Sequence, residues 1–460
     1  MTREPLGAKR LKMERFHVRI ILSTLAVVIA LGVPSVLNAQ RAAASLGRQL
    51  IDAVSPENLT ATVKALEIAG GHNSRVTLTA GNDSARVLIT DWFSALSHLS
   101  SVEEDTFSIQ AAPPFNATQQ FNIVATLSGK QDPSRVFLLG AHFDCSASRM
   151  GQSTWNEQWA TIPAPGADDN ATGIAALLEI ARILSDPASG FINAYTLKFV
   201  AFASEESGPA HSGGHGGSRH YAQEARFRGE RIVGMISLDM IGYNPAHHYV
   251  AIVADAPSQW LGVNFVASRD EQGIDLLTNS SPFPDATYSD HASFWEQGYP
   301  AILLIENAPP WNPSTYYTPN PYYHTSADTS GTLNIELLRR VTQATLATTI
   351  RLTGTLTDIG SEDTDRTLPA SIVLEQNYPN PFNPTTRIRF RLSRREQVRL
   401  TVFDLLGREV LTLLEGEVHP GEHTVTFSAT GREGNLPSGV YFYRLSARSG
   451  SLVRPMILSR

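Results

Sequence analysis

Pro165-Gly-Ala-Asp-Asp-Asn-Ala-Thr-Gly173 is the stretch that decides how this chain reads. Two adjacent carboxylates, Asp168 and Asp169, stand in a Pro/Gly-rich turn. Directly after it come Ile174, Leu177, Leu178, Ala181 and Leu184 at helical spacing, so the turn should open into an amphipathic helix packed on a sheet. Alone, an Asp-Asp pair at such a junction reads as an N-cap with a solvated neighbour. Its company changes that reading. His142 and Asp144 lie upstream, Glu205 and Glu206 downstream, then Asp239 and His324, and all but the last fall just after a short apolar, β-rich run.

Those runs set the fold class. Arg135 to Ala141 ends at His142, Thr196 to Ala203 at Glu205-Glu206, Ile232 to Leu238 at Asp239, and Pro300 to Ile305 is a fourth. Near-continuous apolar strands separated by helices predict an α/β fold, a mixed, mostly parallel sheet flanked by helices. In such sheets ligands bind beyond the carboxyl ends of the strands, where these acids and histidines fall.

Two histidines with several carboxylates and no thiolate suit a borderline divalent metal, zinc above all. A metal pair needs a carboxylate between its ions to offset their repulsion. A further carboxylate beside a ligating histidine would orient its ring from behind. One more, free of metal, is needed to take a proton from water. The chain offers each part.

The flanks bound the rest. A length of 460 residues suggests two to four domains, and 42% hydrophobic content is ordinary for a globular chain. A formal net charge of -7 argues against a nucleic-acid partner. Cys145 is the single cysteine, so no internal disulfide can form. Arg3, Lys9, Arg10, Lys12, Arg15 and Arg19 precede an apolar segment from Ile20 to Leu37 and then Asn38-Ala39-Gln40, the pattern of a secretory signal over residues 1–39. Pro34 interrupts that segment, and a retained anchor is the competing reading; no other stretch is apolar enough to span a membrane. Residues 40–353 form the catalytic domain in this reading. Ser55-Pro56-Glu57 predicts a helix start, Ser84 to Leu99 a second helix, and Phe121 to Leu127 a strand. Nothing between Gln40 and Ser134 reads as chemical.

Residues 354–370 are polar and acidic, a linker. From Ser371 to Arg460 the charge flips to twelve Arg against eight acids, with strict alternation in Arg387-Ile-Arg-Phe-Arg-Leu392. That pattern predicts a small all-β sandwich over 371–460 with its arginines on a solvated face.

The segments G-A-H-F-D (140–144), P-G-A-D-D-N-A-T-G (165–173), F-A-S-E-E-S-G (202–208), S-L-D-M-I-G-Y (237–243), S-D-H-A-S-F-W (289–295) and Y-Y-H-T-S-A-D-T (322–329) resemble the family-28 zinc metallopeptidases, which include bacterial leucyl aminopeptidases and aminopeptidase Y. The resemblance runs from about Leu50 to Thr353 and implies two zinc ions and peptide substrates. It implies His142, Asp169 and Asp239 around one zinc, and Asp169, Glu206 and His324 around the other, with Asp169 bridging. Glu205 would be the general base and Asp144 the partner of His142, with Asp168 a neighbour of the bridging acid. Asp290 and His291 would support the site. His247 and His248 would simply precede a strand. The stretch Gly208 to Gly216 departs from the family pattern, and His211 and His215 there are expected on a flexible surface rim rather than in the site. A carboxypeptidase or a glutaminyl cyclase shares this fold, though the cyclases bind a single zinc, and a non-catalytic surface-binding protein is a further alternative. N-Y-P-N-P-F-N-P-T-T (377–386) and L-P-S-G-V-Y-F-Y-R-L (436–445) resemble the C-terminal sorting domains of type IX secretion cargo. That implies a chain handled by the type IX machinery and then released or attached at the cell surface.

Overall fold

A computed structural model describes residues 45–212, 214–279, 285–307, 315–356, 372–392, 394–404, 408–431, 434–447 and 450–459. The chain divides into two compact units with the boundary at Gly360 and Ser361. The expected signal segment and residues 357–370 of the expected linker lie outside the described residues.

The first unit is built on an eight-stranded sheet: β1 (Ser101–Ser108), β2 (Gln119–Leu127), β3 (Asp132–His142), β4 (Tyr195–Phe202), β5 (Arg231–Leu238), β6 (Tyr249–Ala254), β7 (Leu277–Thr278) and β8 (Ala301–Ile305). Its spatial order is β1-β2-β4-β3-β5-β8-β6-β7. β3 runs parallel to both β4 and β5, β5 parallel to β8, and β6 parallel to β7; the remaining pairs are antiparallel. The sheet is therefore mixed and mostly parallel, as its apolar runs predict. β3, β4, β5 and β8 all point the same way, so His142, Glu205, Asp239 and Glu306 come off one edge.

Ser55 caps α1 (Pro56–Glu67), its Oγ accepting the Asn58 N–H at 3.1 Å with proline in the first turn. α2 (Ala80–Ser94) begins four residues before the predicted start because Thr79 Oγ1 caps it, accepting from the Asn82 N–H. α3 (Thr172–Ser185) differs more from expectation. Every residue in it except Arg182 is buried, so it is the central helix of the domain, not a half-exposed one. Its one buried acid is satisfied: Glu179 accepts from the Ser55 N–H, Asn58 Nδ2 and the Arg182 guanidinium. Further helices cover the sheet, among them α4 (Gly216–Phe227), α5 (Gln259–Glu271) and α6 (His291–Glu296), and α7 (Ile335–Thr353) packs Leu337, Leu338 and Val341 into the core. The chain does not become a linker at Gly354. Gly354–Leu356 forms an edge strand antiparallel to Phe191–Asn193, and a Cβ at Gly354 would lie 2.5 Å from the Ile192 carbonyl oxygen.

The second unit is all β. One sheet orders β9 (Ile372–Leu374), β10 (Thr385–Leu392) and β13 (Gly421–Ser428). The other orders β12 (Glu409–Val418), β11 (Glu396–Phe403), β14 (Gly439–Ala447) and β15 (Gly450–Leu458), and every pairing is antiparallel. Ile388, Phe390 and Leu392 from one sheet share a core with Leu400, Val402 and Tyr443 from the other, while Arg387, Arg389 and Arg391 point to solvent. No helix among the described residues is long and apolar enough to cross a membrane.

Candidate metal centre

Five expected ligand residues meet at the carboxyl edge of the sheet. His142 ends β3, Asp239 follows β5, Glu206 follows β4, Asp169 sits in the turn before α3, and His324 comes from the loop before α7. They form two triplets, His142 with Asp169 and Asp239, and Asp169 with Glu206 and His324, each with donor atoms within 4.8 Å of one another. Asp169 belongs to both. Its Oδ1 lies 3.3 Å from His142 Nε2 and its Oδ2 3.0 Å from His324 Nε2. His142 Nε2 is also 3.4 Å from Asp239 Oδ1, and His324 Nε2 is 2.6 Å from Glu206 Oε1. Both rings thus turn Nε2 inward, and each has its other nitrogen occupied. His142 Nδ1 lies 3.2 Å from the Asp144 carbonyl oxygen, and His324 Nδ1 lies 2.9 Å from Ser148 Oγ. Imidazole and carboxylate donors turned toward one point, with the far nitrogens held, suit a divalent cation at each triplet.

Asp144 works from behind. Its Oδ1 accepts the Glu205 N–H at 3.0 Å, and its Oδ2 accepts the Glu206 N–H at 3.0 Å and Thr77 Oγ1 at 2.8 Å. Asp168 faces away from the centre: its Oδ1 accepts the Gly242 N–H at 2.8 Å and its Oδ2 accepts from Asn320 Nδ2 at 3.1 Å. Asp328 holds the Asp-Asp turn itself, its two oxygens accepting the N–H groups of Asp168 and Asp169. Asp290 is fully buried near His142, Glu205 and His215, and burial lifts it to about 7. His291 is buried beside Trp295, and its Nε2–H donates to the Ala286 carbonyl at 2.8 Å. His247 and His248 precede β6.

Burial first, and crowding of charges after it, shapes the protonation of the site. Burial lifts Glu205 and Glu206 to about 8, against the pull of His142 and His324 respectively. Burial also opposes a charge on His324, yet Glu206 and Asp169 push it up to about 10. Asp169 is buried too, but hydrogen bonds from His142 and His324 hold it below the usual carboxylate range.

Sequence reasoning missed three things. His215 is not on a loose rim: it lines the central cavity of about 800 Å³ together with His142, Asp169, Glu205, Glu206, Asp239 and His324, and its Nε2 stands 3.1 Å from Glu205 Oε1. His211, by contrast, lies outside the cavity lining and pairs by its backbone with Ala111. The stretch before Ser134 is not free of site residues. Thr77 holds Asp144, and the fully buried Arg75 donates to the carbonyls of Phe143, Pro165 and Gly166, tying the end of β3 to the Asp-Asp turn. Asp328 stands in a motif quoted above without a role of its own; its place six residues before Asn334, the cap of α7, gave no signal.

Comparison with known proteins bears on the family and the fold. Residues 122–349 match the profile of Peptidase family M28, and residues 376–459 that of the secretion system C-terminal sorting domain. The Escherichia coli protein YfbL, itself uncharacterised, is 28% identical over 311 residues, covering 62% of this chain and 85% of YfbL. A probable leucine aminopeptidase of Arthroderma otae is 31% identical over 223 residues, covering 48% of this chain and 53% of that protein. The chain thus spans about half the length of that fungal relative. Among solved structures, the LapA aminopeptidase of Legionella pneumophila shares the fold, with a TM-score of 0.52, 21% identity, and 68% of this chain and 75% of LapA covered. Glutaminyl cyclases share that fold as well. The sorting domain marks the chain for export, to the cell surface or beyond it. The central domain of this chain belongs to peptidase family M28, and a secretion system C-terminal sorting domain follows it.

Proposed function

We propose that this chain is an exported two-zinc aminopeptidase, with His142, Asp169 and Asp239 holding one ion and Asp169, Glu206 and His324 the other. The observation that carries this is the division of Asp169, one oxygen toward each histidine. A carboxylate shared in that way is suited to lie between two cations and offset their repulsion. When bound, the zinc pair supplies Lewis acidity and lowers the pKa of water to near neutrality. Glu205 belongs to neither triplet and lines the same cavity. Lining that cavity, it is placed to accept a proton from water at the scissile carbonyl and to return that proton to the leaving amine. Asp144 keeps both glutamates in place through their backbone N–H groups. Cleavage of a signal near Gln40 and passage through a type IX machinery complete the reading, on the strength of the sorting domain.

The test is a panel of aminoacyl-anilides assayed on purified full-length protein, beside elemental analysis. Hydrolysis that needs a free α-amine, stops with chelator and returns with zinc, at two ions per chain, is the expected result. Full activity at one ion per chain, or cyclisation of N-terminal glutamine in place of hydrolysis, overturns it.

A further inference from the structure

At the end of the glycine-rich stretch after Glu206, residues 214–217 form a strap laid along the strand end that carries Glu205. Three consecutive N–H groups, those of His215, Gly216 and Gly217, donate to the carbonyls of Glu205, Ser204 and Ala203 at 2.8, 2.7 and 2.9 Å. The glycines are needed for this approach. A Cβ at Gly217 would lie 2.2 Å from Asn122 Oδ1 and 2.4 Å from the Ala203 carbonyl oxygen, and one at Gly214 would lie 2.8 Å from the Glu205 carbonyl oxygen. Between them His215 stands in the left-handed region at φ 63°, a conformation that persists in a non-glycine residue only where its surroundings fix it. Its imidazole reaches into the cavity and sets Nε2 3.1 Å from Glu205 Oε1. To accept a proton Glu205 must be ionised, and an ionised carboxylate can only accept, so in that state the contact requires the hydrogen on Nε2.

We propose that His215 is a positioning residue for Glu205: it grips the carbonyl of that glutamate with its backbone and one carboxylate oxygen with its ring, leaving the second oxygen free to meet water. A glutamate side chain has three rotatable bonds, and the triplets place no hold on Glu205 as they do on Glu206. The strap supplies that hold. A displacement of about 1 Å at such a group can cost roughly 100-fold in rate. The assignment rests on the reading of Glu205 as the proton acceptor.

The experiment compares His215→Ala and His215→Gln, alone and combined with Glu205→Gln, in the full chain loaded with zinc. His215→Ala should lower kcat roughly 10–100-fold while KM, bound zinc and melting temperature stay near wild type. His215→Gln places an amide N–H near the position of Nε2 and should recover most of the loss. In the Glu205→Gln background, adding His215→Ala should cost nothing further, since the two act as one unit. Additive losses, a loss that sits in KM, or a loss of zinc would overturn the proposal. Crystal structures of wild type and His215→Ala decide it without turnover: the Glu205 carboxylate should leave its position when the ring is removed, and an unmoved carboxylate refutes the role. If the wild type hydrolyses no aminoacyl-anilide, the peptidase reading falls, while the crystallographic arm still tells whether His215 fixes Glu205.

Discussion

The carboxylate of Asp144 accepts the backbone N–H groups of Glu205 and Glu206, one on each oxygen, both at 3.0 Å. A single buried acid thereby sets the spacing of two glutamates that are proposed to do different work. Asp144→Asn would turn an NH₂ toward a backbone donor on one side and break that grip. Activity or zinc affinity should fall roughly 10–100-fold, the usual cost of losing a group that orients ligands. Thr77→Val removes a single donor from the same carboxylate and should cost less. Steady-state kinetics with zinc analysis on both variants checks the order; an Asp144→Asn enzyme equal to wild type contradicts it.

Glu205 and Glu206 are neighbours with one side chain type and opposite expected responses. Glu205→Gln keeps shape but cannot accept a proton, so turnover should drop roughly 10²–10⁴-fold with zinc retained. Glu206→Gln exchanges a charged ligand for a neutral one. Zinc should weaken along with the rate, and excess zinc should recover part of it. A reversed pattern, with Glu205→Gln losing metal, would exchange the two roles and leave the family assignment standing.

Much of this was legible because the chemistry sits where strands end. His142, Glu205 and Asp239 each close an apolar run, and a run of that kind marks both the strand and its carboxyl edge. Asp169 was legible because a turn and a helix follow at once. What stayed hidden depends on long-range contact. Thr77 lies 67 residues before Asp144, and Arg75 reaches Pro165 and Gly166 across about ninety positions with no local pattern to announce it. His215 was misread because glycine-rich sequence signals freedom, whereas here the glycines are what lets the backbone close on residues 203–205. The burial of α3 everywhere but at Arg182 was hidden too, since its apolar stripe reads the same whether or not a second layer covers its other face.

The sorting domain allows a contrast along one strand. In β10 the arginines at 387, 389 and 391 are exposed and Ile388, Phe390 and Leu392 are buried. Phe390→Ala should remove about 3–5 kcal/mol of stability, enough to unfold a small sandwich. Arg389→Ala should stay within about 0.5 kcal/mol. Thermal melts of the full chain, followed in the β-rich unit, separate the two; equal effects would mean that the alternation does not set the core.

The last prediction concerns acid. His291 is fully buried, its Nε2–H is spent on the Ala286 carbonyl, and its Nδ1 meets no hydrogen-bond partner among the described residues. Burial pushes its pKa down to about 3, from an ordinary value of 6.5. Between those values the unfolded chain binds a proton that the folded chain refuses, so stability rises with pH and is lost as pH falls from about 6.5 toward 3. The slope attributable to this residue is at most about 1.4 kcal/mol per pH unit. His291→Gln keeps an amide N–H for Ala286 and cannot titrate. Any loss of metal from the proposed centre in acid would be common to both proteins, so the difference between them isolates His291. Denaturant unfolding at a series of pH values should show wild type losing ground to His291→Gln as pH falls through that window. A difference that stays flat from pH 7 to pH 4 would mean that the ring takes up its second proton without cost, and that the pocket around it is not the closed one described.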